Sequence, residues 1–180
     1  MKTNSHPAPE AHEEFVTDCG GIQPIFPDLS WDDCILREPM FGSNELIEQA
    51  IQTLIQQNTA EAFFNLCLAI RSRIEQDGHF IFPADISKDA CGNTEFSFKT
   101  LNLDNGPAIV AFTNPVEKEK APPAGAVSYF IDSALEDLMQ MEEIQGIVLN
   151  PFKDAMFLSK NAIEIILAPD IEQHIKGLMQ

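Results

Sequence analysis

At Asp77-Gly78 the spacing of apolar residues changes from the period of a helix to that of a strand, and this change decides the fold class. Before it, Leu46, Ala50 and Leu54 recur every fourth position. Ile47, Ile51 and Ile55 form the adjacent row, while Glu48, Gln49, Gln52 and Gln56 face away. The spacing predicts a helix over 44–57, capped by Ser43, with Glu45 in a first turn where the helix dipole favours an acid. Asn58-Thr59 reads as a stop and a fresh cap. Phe63, Leu66, Cys67, Ile70 and Ile74 then predict a second amphipathic helix over 60–73.

After Gly78 the rules are those of a sheet. His79-Phe80-Ile81-Phe82-Pro83 is a short aromatic and β-branched run closed by proline, which reads as a strand ending at Pro83 or lying on an edge. Residues 95–99 alternate with period two, Asp104-Asn105-Gly106 supplies a turn, and residues 107–112 return as a more continuous apolar strand, together a hairpin. Residues 114–125, including Glu117-Lys118-Glu119-Lys120, read as a solvated loop. Ser133 and Glu136 resemble a capping box for a helix whose Leu135, Leu138 and Met139 face inward. Residues 147–149 and 155–158 read as two further strands around Asn150-Pro151, Ser159 as the cap of a helix over 160–167, and Asp170 with Gln173 as the start of a last short helix. The expected fold is α+β: a single mixed, mainly antiparallel sheet of about five strands flanked by helices. The expected organisation is an acidic, partly disordered, Pro-rich segment over 1–42 and one domain over 43–180.

Charge narrows the partners. Of 180 residues, 11 are Lys or Arg and 28 are Asp or Glu, a net charge of −17. Nucleic acids and anionic membrane surfaces are bound chiefly through clustered cations, so neither is an expected partner. Hydrophobic residues make up 44%, enough for an ordinary core. Prolines 7, 9, 24, 27 and 39 punctuate the first 42 residues, which still carry Ile22, Ile25, Phe26, Leu29, Trp31, Ile35 and Leu36. That segment is expected to pack on its own domain or to hold a partner. No apolar run resembles a secretory signal or a membrane span, and no Cys-x-x-Cys pair occurs, so the expected location is the cytoplasm with reduced thiols.

No catalytic set assembles from the residue types. His79 is the sole buried base to consider, since His6 and His12 lie in the acidic segment and His174 near the end. In its strand-start setting a hydrogen-bonded structural role is favoured. Glycine-rich phosphate cradles are absent, and the acid pairs Asp32-Asp33, Glu136-Asp137 and Glu142-Glu143 read as solvated. No cofactor and no metal is assigned. Arg71 and Arg73 end the second helix, where cations suit the dipole, and an exposed pair there could also capture a carboxylate.

The order of these elements, with Phe112-Thr113-Asn114 closing one strand and Gly146-Ile147-Val148-Leu149-Asn150-Pro151-Phe152 carrying the next, resembles the N-terminal domain of the bacterial SseB family over residues 44–168. Asn114 stands where that family often has Ser, and Lys153 where a small residue often follows. The resemblance implies an α+β cytoplasmic domain with no established enzymatic activity. Thr113, Asn114 and Asn150 are polar groups at strand ends, where a ligand site would sit if the strands pointed into one cleft. Phe112 and Phe152 read as core residues and Asn150 as the fixing point of its turn. Three functions compete. The leading one is a non-catalytic interaction or regulatory module with a protein partner, contacts being sought at Arg71, Arg73, Thr113, Asn114 and Asn150. The second is a small-molecule binder or weak enzyme with a deep pocket lined by Thr113 and Asn150, with Arg71 as a further contact. The third is a homodimer of the secretion-chaperone kind presenting an apolar groove.

Overall fold

The computed structural model describes residues 44–171 and Ile175. The segment 1–42, Ser43, Cys19, Cys34, His6, His12, His174, Asp32-Asp33 and Gln173 lie outside the described residues.

Helix α1 (Glu45–Gln57) is followed by α2 (Ala60–Ile74). Between them Asn58 takes the left-handed conformation, φ 48°, and Thr59 accepts from Ala62 N at 3.2 Å, so the stop and the fresh cap both form. After α2, Asp77 turns to φ 53° and Gly78 N–H donates to Arg73 O at 2.9 Å. A Cβ on Gly78 would lie 2.5 Å from Arg73 Cγ, so this close return requires glycine.

Among the described residues up to Leu167, seven strands and three helices follow: β1 (His79–Lys88), β2 (Thr94–Phe98), β3 (Thr100–Leu103), β4 (Gly106–Ala111), α3 (Pro115–Glu119), β5 (Ala126–Phe130), α4 (Ile131–Gln140), β6 (Gly146–Leu149), β7 (Met156–Ser159) and α5 (Lys160–Leu167). The strands form two sheets, β2-β1-β5 and β3-β4-β6-β7, rather than the single sheet of about five strands expected. Four pairings are antiparallel, while β4 and β6 run parallel with Ile109 beside Ile147.

One residue explains the division. Ile81 and Phe112 exchange both backbone hydrogen bonds, at 2.9 and 2.8 Å, and so tie the sheets together. The next position on that edge of β1 is Pro83, which has no N–H to continue the ladder. There Lys99 intervenes, donating to Pro83 O at 2.9 Å and accepting from Val110 N at 3.0 Å. The chain over 94–103 therefore crosses from one sheet to the other at Lys99. Pro83 does not end the strand. It sits inside a ten-residue one.

Other expectations shift. The presumed loop 114–125 contains α3, capped by Asn114 through Glu117 N at 2.8 Å. Residues 126–130 form an additional strand, which pairs with β1. Helix α4 begins at Ile131 without a side-chain cap, and Ser133 lies inside it, its N–H bonded to Asp132 Oδ1 at 2.6 Å. The strand expected over 155–158 runs one residue later. Helix α5 forms over 160–167 as expected, with Ser159 accepting from Ala162 N at 3.3 Å.

The main core lies between the helices and one face of both sheets. Ile47 and Ile51 of α1, Leu66, Cys67 and Ile70 of α2, Leu135 and Leu138 of α4, and Ile163 and Ile166 of α5 pack there against Phe80, Phe82, Ile109, Ile147, Leu149 and Leu158. Leu46 and Ile55, the outer members of the α1 rows, are exposed. Cys67 is buried, and burial pushes its thiol up to about 12, the value of an inert core group. No helix among the described residues is long and apolar enough to cross a membrane.

Candidate functional site

Because β4 and β6 are parallel neighbours, their C-terminal ends lie side by side and bring Thr113 and Asn150 together. Thr113 N donates to Asn150 Oδ1 at 3.0 Å, and Asn150 Nδ2 donates back to Thr113 Oγ1 at 2.9 Å. The Thr113 hydroxyl donates to Glu48 Oε1 at 2.6 Å, and Asn114 Nδ2 donates to the same oxygen. Asn150 holds φ 49°, a left-handed conformation that asparagine tolerates better than most residues. Three of the sequence-selected residues thus meet in one cluster.

The cluster continues toward α2. Asn44 Nδ2 donates to Thr113 O at 2.7 Å and to His79 O at 2.9 Å, while its Oδ1 accepts from Arg73 Nε at 2.9 Å. Arg73 also donates to Gln76 O at 3.2 Å and is only 6% exposed. Burial lowers its pKa, against the opposing pull of the Asp77 carboxylate. The exposed arginine pair is therefore corrected: Arg71 stays on the surface bonded to Glu75 at 3.2 Å, while Arg73 supports the strand ends from inside. Its place was legible, since position 73 continues the buried row of Leu66 and Ile70. Asn44 and Glu48 were missed. They stand one turn apart at the start of α1, where a polar pair is ordinary, and only the tertiary fold supplies their partners.

This arrangement is a filled junction. The polar groups of Thr113, Asn114 and Asn150 are engaged by one another, by Glu48, by Asn44 and, for Asn114 Oδ1, by Glu117 N. The cavity beside Asn150, lined also by Glu48, Gln52, Glu117, Lys153 and Asp154, measures ≈ 40 Å³. That is room for a few waters, against the roughly 300–1,000 Å³ of sites for drug-sized ligands. Among the described residues this small cavity reaches Asn150 but is not lined by Thr113. No group of three or more His, Cys, Asp or Glu among the described residues is placed to hold a metal ion.

A second surface lies on the other side of the sheets. Register places Leu101, Ala108, Val110, Val148 and Phe157 on one face, opposite to the helices. Val110, Phe112 and Ile81 form a small core there with Ala121 and Ala126 packed against them. Phe152, expected inside, is 53% exposed and stacks on Phe112 at 6.3 Å between ring centroids. Phe157 and Leu101 are 40% and 39% exposed. The same face carries His79, whose ring lies 4.0 Å from that of Phe130. Burial lowers the His79 pKa, opposed by the Asp77 carbonyl and assisted by the Arg73 charge, while the carboxylates of Asp132 and Asp77 raise it. A further groove of ≈ 620 Å³, open and largely apolar, runs between Leu54, Ile55, Ala60, Phe63 and Met156.

The chain matches no protein-family model, no curated protein and no solved structure.

Proposed function

We propose that this chain is a non-catalytic interaction or regulatory module of the bacterial cytoplasm, resembling the SseB N-terminal domain, whose docking surface is the sheet face opposite the helices. One observation carries the reading: Leu101, Phe152 and Phe157 present apolar area around a buried Val110–Phe112 centre, and no helix among the described residues covers them. Exposed apolar patches of this kind mark interaction sites. By contrast, the strand-end cluster is occupied with its own bonds and offers little room for a ligand. The face selects a partner with an apolar, aromatic-accepting surface, and nothing in it favours a polyanion.

The test compares proteins captured by the full chain from a lysate of the cells that make it, as wild type and as a Phe152→Glu/Phe157→Lys double variant. A partner held by the wild type, lost from the double variant and retained by Ile55→Lys supports this face, provided all three chains melt within a few degrees of one another. Equal capture by the double variant and the wild type overturns it.

A further inference from the structure

We propose that residues 94–103 pair edge to edge with the same residues of a second copy of this chain, joining two molecules through their backbones about a two-fold axis at Phe98.

Three hydrogen bonds fix which way each backbone group points along this stretch. Asp89 N–H donates to Asn93 O at 2.9 Å and Lys99 N–H to Pro83 O at 2.9 Å, so in the β1–β2 register the odd residues from 93 to 99 turn their N–H and C=O groups toward β1. Lys99 O accepts from Val110 N at 3.0 Å on that same side, and the β3–β4 register carries the alternation through Leu101 and Leu103. Thr94, Phe96, Phe98, Thr100 and Asn102 therefore point their backbone groups away from both sheets. Strands β2 and β3 each stand last in their sheet, and none of these five residues has a backbone partner on that side among the described residues. With only Lys99 between them, the two strands present one unbroken edge over 94–103.

The other sheet edges are shorter. Strand β7 has four residues and β5 five, and each runs directly into a helix. Short strands, prolines and covering elements are the usual protection of an edge. Residues 94–103 contain no proline and no glycine, and Thr94, Phe96, Phe98 and Thr100 are types that favour strands.

Two features select a second copy as the occupant. The first is charge. Two chains of −17 repel each other, and the repulsion is least where acids and bases balance. They balance on the strands of this hairpin, Asp85 and Glu95 against Lys88 and Lys99, with Lys99 already bonded to Asp85.

The second is self-complementarity. Antiparallel pairing centred on Phe98 sets Thr94 opposite Asn102 of the second copy, Phe96 opposite Thr100 and Phe98 opposite its own counterpart. All are positions whose backbone groups point outward, so each pair exchanges two bonds, about ten in all. That matches the roughly ten direct hydrogen bonds of a typical protein interface. Between them Glu95 lies opposite Leu101 and Ser97 opposite Lys99, so no two like charges stand directly across from each other. Phe98, whose ring packs against Phe82 at 5.4 Å between centroids, then meets a second Phe98, and the exposed Phe96 gives up apolar area to the joining strand.

Sedimentation of the full chain across the micromolar range tests this, with the mass expected to rise from 20.0 kDa toward twice that value. Thr100→Pro removes an outward N–H that bonds nothing in the single chain, and is expected to hold the single-chain mass over the same range with circular dichroism unchanged. Where Thr100→Pro fails to fold, Asn102→Pro provides the same reading. Thr100→Val keeps the N–H and is expected to pair like the wild type. So is Phe152→Glu/Phe157→Lys, which separates this edge from the docking face proposed above. Amide exchange locates the contact: the Phe96, Phe98 and Thr100 amides are expected to slow several-fold between dilute and concentrated protein. A single-chain mass at every concentration overturns the proposal. A dimer that persists in both proline variants, or that leaves those three amides unprotected, places the contact elsewhere and overturns it too. A lysate partner held by single-chain wild type and lost from Thr100→Pro assigns the edge to a strand of another protein and overturns the second copy.

Discussion

Asn150 combines two demands that few residues meet together, a left-handed backbone and a side chain that both accepts from and donates to Thr113. Asn150→Ala strands the buried Thr113 N–H and puts alanine, which tolerates left-handed space less well than asparagine, at that position, an expected loss of about 3 kcal/mol. Asn150→Gly removes the side chain but not the backbone ease and is expected to lose about 1 kcal/mol less. Urea unfolding measures both; equal losses would show that backbone conformation contributes nothing. His79 carries a second residue-scale consequence. Its pKa is lowered in the fold, so below the ordinary histidine value of about 6.5 the unfolded chain binds the extra proton more readily. Its contribution is full above that value and declines as pH falls through it, so stability rises with pH across this window. His79→Gln is expected to flatten that part of the slope in urea midpoints measured from pH 5 to 8. At this scale the meeting of Thr113, Asn114 and Asn150 was legible because each follows an apolar strand, although their polar groups are engaged in bonds within the fold. Glu48 was not, since on a helical wheel it faces away from the apolar rows and its acceptor role exists only once β4 has arrived.

Individual elements differ in how much local chemistry specifies them. Helix α1 follows from spacing alone, since its N-cap Asn44 makes no side-chain cap bond, whereas α2 and α5 follow from spacing and caps, Thr59 and Ser159 each accepting the expected backbone N–H. Thr59→Ala and Ser159→Ala should each cost about 1 kcal/mol, whereas Ser133→Ala should cost about 0.5 kcal/mol or less. Thermal melts of the three variants check this ranking, and a Ser133 loss equal to the others would return that residue to a capping role. The strands were harder to read. Pro83 and Lys99 owe their roles to where the two sheets meet, a tertiary circumstance with no periodic signature. The run 126–130 alternates weakly because its Ser128 and Phe130 share the outer face with His79 and Ile81 while Val127 and Tyr129 face the helices. Local propensity also gives no cue that β4 and β6 are parallel neighbours, because the chain between them contains α3, β5 and α4.

For the molecule as a whole, one core spans both sheets: Phe80 and Phe82 from one, Ile109, Ile147 and Leu158 from the other, closed over by four helices. The α+β class followed from the change of period at Gly78, but the split into two sheets did not, because it depends on Pro83 and Lys99 meeting where the sheets join. The strand-end cluster also has a bearing on time. Its bonds join residues 29, 35, 37, 65 and 69 positions apart, so none can form until distant elements are already packed. The expectation is that such bonds form after the folding nucleus and contribute on the unfolding side of the barrier. Asn150→Ala should therefore accelerate unfolding in stopped-flow measurements while refolding proceeds at nearly the wild-type rate; a matching slowdown of refolding would place the cluster in the nucleus. Thr113, Asn150 and their neighbours would then act as a clasp that sets how long the native state lasts, with little say in how quickly it is reached.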